Sequence, residues 1–221
     1  MKHLNCDYSL YLVTDRDVLK GRDLYQGVKA ALQGGVTLVQ LREKDLSARD
    51  FYQMALVIKE LTTSYGVPLL INDRLDIALA VEAEGVHIGQ DDLPLPEVRR
   101  ILGSGKLLGY SVSNIAEAKY GAAHGVDYLG AGPVYATTTK ATDLTPLGVL
   151  GLKAIKEAVS VAVVGIGGIN AGNVWDVKQA GVAGISVVSG ILGSEDPETA
   201  ARELLQAFIG HSESHNELTV E

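Results

Sequence analysis

The sequence predicts a (β/α)8 barrel of the TIM type, an α/β catalytic domain over residues 1–210 with a polar tail over residues 211–221. Three observations carry this. Short β-rich apolar runs recur at Ser9–Thr14, Thr37–Glu43, Leu69–Asp73, Gly85–Gly89, Leu107–Val112, Asp127–Gly132, Val161–Gly167 and Gly184–Gly190, and eight is the strand number of that barrel. Helical patterns fill the intervals between them. The runs are mostly apolar on both faces, as strands are when one side meets helices and the other fills a closed interior.

Taken in order, the first interval holds Leu24, Val28, Ala31 and Leu32 at helical spacing until Gly34-Gly35 stops the turn. The second holds a longer stripe of Phe51, Met54, Ala55, Ile58 and Leu61. Both stripes read as core. The rival architecture is an open doubly wound sheet, which sets a glycine-rich phosphate turn after its first strand. Here Thr14-Asp15-Arg16 follows that strand and the glycines gather late, at Gly165-Ile166-Gly167-Gly168. A chain of 221 residues falls between the priors for one domain and two, and a barrel of ordinary size uses all of it.

Composition narrows the function. A net charge of -8 and a pI near 5.1 repel nucleic acid over most of the surface, so an anionic ligand has to be met by a local basic cluster. No apolar run is long enough for a membrane span. The start, Met1 to Asp7, has no secretory stretch and the lone Cys6 has no internal disulfide partner, so a cytoplasmic setting is expected and Cys6 reads as an inert thiol. The partners expected are small molecules; a homo-oligomer stays open.

In such a barrel the chemistry gathers where the strands end. The second run ends Gln40-Leu41-Arg42-Glu43-Lys44. Alternation sets Gln40, Arg42 and Lys44 on one face and Leu41 on the other, so an amide, a guanidinium and an ammonium can meet a multiply charged oxyanion at the barrel mouth. The alternative is that Arg42 and Lys44 simply pair with Glu43 or Asp45. The third run ends Asn72-Asp73 and the fourth leads through His87-Ile88-Gly89-Gln90 to Asp91-Asp92. Neighbouring strand ends lie on the order of 5 Å apart, close enough for Asp73 and one of the later pair to share Mg2+, or for each aspartate to cap the helix that follows. His87 reads as a packed, hydrogen-bonded histidine. Ser111 offers a hydroxyl after the fifth run. The sixth run enters Gly132-Pro133-Val134-Tyr135-Ala136-Thr137-Thr138-Thr139-Lys140, either a solvated turn or a site for anionic oxygens. Gly165 to Asn170 and Val187 to Gly190 place glycines where barrels bind a phosphomonoester, or where they merely turn tightly.

With these residues in view the chain resembles the thiamine phosphate synthase family from Tyr11 to about Phe208. The resemblance rests on Tyr11 to Asp15, Gln40 to Lys44, Asn72-Asp73, His87 to Gln90 with Asp92, Gly132-Pro133, Thr137 to Lys140, Gly167-Gly168 and Val188-Ser189. Tyr110 stands where a smaller residue is usual and Ala136 where proline is usual. The resemblance implies that Gln40, Leu41, Arg42, Glu43, Lys44, Asn72, Ser111 and Lys140 hold hydroxymethylpyrimidine diphosphate, with Arg42, Lys44, Lys140 and Ser111 as the catalytic groups. It implies Asp73 and Asp92 as ligands of Mg2+, and Thr137, Thr139, Gly168, Val188 and Ser189 around hydroxyethylthiazole phosphate, with Thr138 also among the substrate-binding residues. The expected reaction is a Mg-assisted, dissociative transfer that joins the two and releases diphosphate. Two other readings are a thiazole phosphate tautomerase, which needs a proton-transferring histidine and no diphosphate cage, and a non-catalytic sensor of thiamine phosphates.

Overall fold

The computed structural model, which describes residues 6–137 and 144–210, is a closed barrel of eight parallel strands in sequential order. The strands are β1 (Leu10–Val13), β2 (Leu38–Leu41), β3 (Leu69–Asn72), β4 (Gly85–Ile88), β5 (Leu107–Val112), β6 (Tyr128–Ala131), β7 (Ala162–Ile166) and β8 (Gly184–Val187). Between them come α1 (Leu24–Gln33), α2 (Ala48–Ser64), α3 (Leu75–Ala80), α4 (Leu95–Leu102), α5 (Ile115–Ala123), α6 (Gly148–Glu157) and α7 (Val174–Gln179). The short α8 (Ser189–Leu192) and then α9 (Pro197–Ile209) follow β8. The eight apolar runs each contain one strand, and most overshoot it by a residue or more because the end residues leave the ladder to form the rim. The polar tail over residues 211–221 lies outside the described residues.

Alternation along the strands builds two cores. Outward residues such as Leu10, Val39, Ile71, Val86, Leu129 and Val163 meet the helices, where Val28, Phe51, Ile58 and Leu204 cover them. Inward residues Tyr11, Leu38, Leu70, Leu107, Tyr128 and Val164 fill the cylinder. The inward face is graded along its length. Leu38, Leu70 and Leu107 make an apolar floor, and two to four residues later the same face carries Gln40, Asn72, His87 and Ser111. The floor is closed by Cys6 and Tyr8, whose ring lies 5.0 Å from that of Tyr128. Burial pushes the Cys6 thiol up to about 12, which leaves it protonated and unreactive.

At the amino-terminal end, ionic side chains pin the loops that enter the strands. Glu84 pairs with Lys59 and accepts the Leu69 N–H at 2.8 Å. Arg99 donates to the carbonyls of Gly103, Lys106 and Gly125 at 2.7–3.0 Å and pairs with Asp127 at 2.5 Å. A lysine has neither the fork nor the donors to reach all four. Arg99→Lys is therefore expected to cost about 2 kcal/mol and lower Tm by roughly 4–8 °C in a thermal melt. Ligand binding should survive at lower temperature, because these contacts lie at the opposite end from the cavity.

Candidate active site

Above the polar layer opens a cavity of about 590 Å3, a size suited to small-molecule ligands. One wall carries Gln40, Arg42, Asn72, His87 and Ser111; the other carries Thr137, Gly168, Val188 and Ser189. Residues expected to serve two separate ligands thus share one space. Leu41 faces the helices, fully buried, so its side chain takes no part in that wall. Tyr110 likewise turns outward, 7% exposed, with its ring 6.3 Å from Tyr120. Thr138, Thr139 and Lys140 lie outside the described residues.

Arg42 is aimed by the end of β1. The Thr14 hydroxyl accepts the Arg42 backbone N–H at 2.9 Å, and Asp15 takes Arg42 Nη1 on Oδ2 at 3.0 Å. Asp15 is only 8% exposed and its second oxygen accepts the Asp17 N–H at 3.0 Å, so the carboxylate is fixed before it meets the arginine. Strand alternation brings Gln40 and Arg42 to the cavity together, as read from the sequence. Lys44 comes three residues after β2 and pairs instead with Asp73 at the rim. Glu43 is turned inward: its Oε1 is buried with no hydrogen-bond partner among the described residues, and Arg16 stands 4.0 Å away. Burial, only partly offset by Arg16, pushes its carboxyl up.

Asp73 sits just past β3 in left-handed backbone, φ 59°, and is not among the residues that line the cavity. There it meets Lys44 and is hydrogen-bonded to Asp92, whose own Oδ2 accepts the Gly89 N–H at 2.7 Å. Burial pushes Asp73 up, yet the bonds from Lys44 and Asp92 outweigh it and hold the carboxyl below the usual range. Burial raises Asp92 despite the Gly89 N–H, and the neighbouring Asp73 charge raises it further. Two carboxylates set against each other, one held down and the other pushed up, mark a place where a small hard cation would satisfy both. Asp91, by contrast, is exposed. Among the described residues no group of three or more His, Cys, Asp or Glu gathers around a point, so a cation here would take its other oxygens from ligand and water.

The opposite wall is made of backbone. Gly167 and Gly168 have φ of 97° and 67°, and a Cβ on Gly168 would lie 2.7 Å from both the Ala136 carbonyl oxygen and Tyr135 Cβ. Asn173 holds this turn by donating to the Gly168 carbonyl at 2.9 Å while accepting the Asn170 N–H at 2.9 Å. The loop after β6 runs alongside it: Val134 and Tyr135 donate their N–H groups to the Ile166 and Gly167 carbonyls at 2.8 and 3.0 Å. The Gly132-Pro133 peptide is cis. On β8, Ser186 lines the cavity, and its buried Oγ has no hydrogen-bond partner among the described residues. Such a hydroxyl is left for a ligand to satisfy.

Sequence reading passed over Thr14, Asp15 and Ser186. Thr14 ends the first run and Asp15 follows it, and both carried a signal, since polar groups there have no place in a core. Ser186 lies inside an apolar run and carried none.

Comparison with known proteins finds relatives of one kind. Two curated thiamine-phosphate synthases, from Clostridium acetobutylicum and Desulfitobacterium hafniense, are each 57% identical to the chain. The first aligns over 62% of this chain and 64% of its own length, the second over 61% and 65%. The chain thus spans about 64% of the length of the curated relatives it matches. A solved structure described as thiamine phosphate pyrophosphorylase from Pyrococcus furiosus superposes with a TM-score of 0.86 at 36% identity, over 93% of this chain and 98% of that one. Another so described, from Bacteroides thetaiotaomicron, shares the fold at 16% identity and a TM-score of 0.63, over 90% and 95%. The family model described as thiamine monophosphate synthase matches residues 10–191, a stretch that takes in all eight strands and both walls of the cavity, and the chain belongs to that family.

Proposed function

We propose that the protein joins hydroxymethylpyrimidine diphosphate to hydroxyethylthiazole phosphate, giving thiamine phosphate and diphosphate, in a Mg2+-assisted dissociative transfer. The observation that carries this reading is the single cavity whose one wall offers Arg42, Asn72 and Ser111 and whose other offers the Gly168 turn with Val188 and Ser189. Two anionic ligands bound on facing walls hold their reacting atoms together, which makes the encounter intramolecular. The C–O bond of the pyrimidine methylene breaks with its electron pair leaving on diphosphate. The electron-rich aminopyrimidine carries the resulting cation, and the lone pair of the thiazole nitrogen forms the new C–N bond.

No protein nucleophile is required. The work of the chain is to stabilise the charge that grows on the departing oxygen and to hold the thiazole in line. Arg42, braced by Asp15, presents its fork to the diphosphate, and Lys44 stands at the rim beside it. Asp73 and Asp92 are the residues that would hold Mg2+, which bound there supplies charge neutralisation for the leaving group. Lys140 completes the cluster in this proposal by its place in the sequence. The setting we infer is cytoplasmic; among the described residues no helix is long and apolar enough to cross a membrane.

A thiazole phosphate tautomerase would need a histidine free to carry protons. His87 lines the cavity, yet Nδ1 lies 2.7 Å from Tyr128 Oη and Nε2 2.9 Å from Ser111 Oγ, so both nitrogens are engaged within the barrel. The deciding experiment is a coupled assay of diphosphate release. Release is expected only with both substrates and Mg2+ present, and should fall at least about a hundredfold on chelation and recover when Mg2+ is returned. Asp73→Ala at saturating Mg2+ is expected to lose as much. Release from the pyrimidine substrate alone, or activity indifferent to chelation, would overturn the proposal.

A further inference from the structure

Under the cavity, side chains from five strands form one hydrogen-bonded row. Gln40 Nε2 donates to Tyr11 Oη, which lies 2.8 Å from Tyr128 Oη; Tyr128 Oη is 2.7 Å from His87 Nδ1, and His87 Nε2 is 2.9 Å from Ser111 Oγ. Both ends, Gln40 and Ser111, line the cavity, as do Tyr11 and His87, while Tyr128 lies beneath it; Tyr11 and Tyr128 are both buried. Two glycines make the room. A Cβ on Gly109 would lie 2.2 Å from the Tyr128 ring, and one on Gly130 would lie 3.2 Å from His87 Cε1.

A phenol has one proton, so a buried hydroxyl that accepts from one neighbour in such a row gives its own proton to the next. Burial raises the pKa of both Tyr11 and Tyr128, which keeps the two protons in place. The donor at the Gln40 end therefore sets each later bond. Tyr11 donates to Tyr128 and Tyr128 to His87 Nδ1. His87 then carries its proton on Nε2 and donates it to Ser111 Oγ, and the Ser111 proton turns toward the cavity. If the Gln40 amide is turned over, its oxygen accepts from Tyr11 and the whole row reverses. Ser111 then donates to His87 and shows the cavity only lone pairs.

We propose that this row is a positioning and specificity device in which Tyr11, Tyr128 and His87 tie the hydrogen-bonding sense of Gln40 to that of Ser111. A ligand that offers an N–H to the Gln40 oxygen thereby finds Ser111 turned as a donor to its oxyanion. The ligand class selected is an amino-substituted heterocycle carrying a phosphate ester. A ring with a carbonyl in place of the amino group reverses the amide and sets Ser111 lone pairs against the anion, so it is disfavoured at both ends. The ligand side of this inference rests on the proposed function; the direction of the row does not.

The direction is tested without substrate. In protein labelled with 15N-histidine at neutral pH, long-range 1H–15N spectra should show the ring removed by His87→Gln as the neutral Nε2–H form. A neutral Nδ1–H form or a doubly protonated ring overturns the proposal. Coupling is then tested by diphosphate release with folding checked by thermal melt. Ser111→Ala and Tyr128→Phe should each lower kcat/KM about tenfold, and the double variant no further. Losses that multiply to about a hundredfold overturn it, since Tyr128 would then act independently of Ser111. If the protein releases no diphosphate at all, the proposed function fails, and the imidazole spectrum still decides the row.

Discussion

Arg42→Gln is expected to lower the rate of diphosphate release about 10²–10³-fold, the cost of removing one preorganised donor from a site that stabilises developing negative charge. The glutamine keeps a polar side chain, but it is shorter and has neither the charge nor the fork that grips two oxygens at once. Stability should fall as well, by a smaller or similar free energy. The Arg42–Asp15 contact is a single bond at 3.0 Å between side chains 23% and 10% exposed, and Asp15 keeps its bond from the Asp17 N–H. Losing it costs about 1.5–3 kcal/mol, or roughly 3–12 °C in Tm for a chain of this size. Steady-state kinetics beside a melting curve separate the two effects. A variant within a few-fold of the parent would remove Arg42 from the proposed chemistry.

Gly109→Ala is expected to cause a large loss of stability for a single methyl group. The added Cβ would sit 2.2 Å from Tyr128 Cζ and 2.3 Å from its hydroxyl oxygen. Tyr128 is fully buried, edge-on to Tyr11 at 5.8 Å and beside Tyr8 at 5.0 Å, so its ring has nowhere to go. Overpacking of this kind costs about 3 kcal/mol, roughly 6–12 °C in Tm. Tyr128→Leu in the same chain should return part of that stability by withdrawing the ring. It should leave the catalytic rate low, because the hydroxyl between Tyr11 and His87 is gone. Equal melting temperatures for the parent and Gly109→Ala would mean that the interior is looser than its contacts indicate.

The barrel was legible because its signal is repeated. Eight apolar runs at near-even spacing carry the same information many times, and an error of a residue at one end leaves the count intact. Strand alternation also placed Gln40 and Arg42 on one face and Leu41 on the other, since a period of two is fixed by the backbone. It was less reliable for Lys44, which lies beyond the last ladder bond, where a turn rather than the strand sets direction. Tyr128 was harder still. In sequence it is an aromatic residue in an apolar strand, and only the closed cylinder brings its hydroxyl to Tyr11 on β1 and His87 on β4. Those contacts join residues 117 and 41 positions apart, a distance over which no local pattern carries information. The same holds for Asp73 and Asp92, which meet across nineteen positions of sequence with Asp73 in a left-handed turn.

In the glycine wall, residues 132–136 and the turn at Gly167-Gly168 are joined by the Val134 and Tyr135 amides and by contacts too close to admit a Cβ at Gly132, Gly167 or Gly168. The entropy of these residues is therefore surrendered when the chain folds and not when a guest arrives. That half of the pocket behaves as a rigid mould, insensitive to which side chains adorn it. Divergence among descendants of this scaffold should then accumulate on the facing wall, where long, jointed side chains can be exchanged without disturbing the main chain beneath.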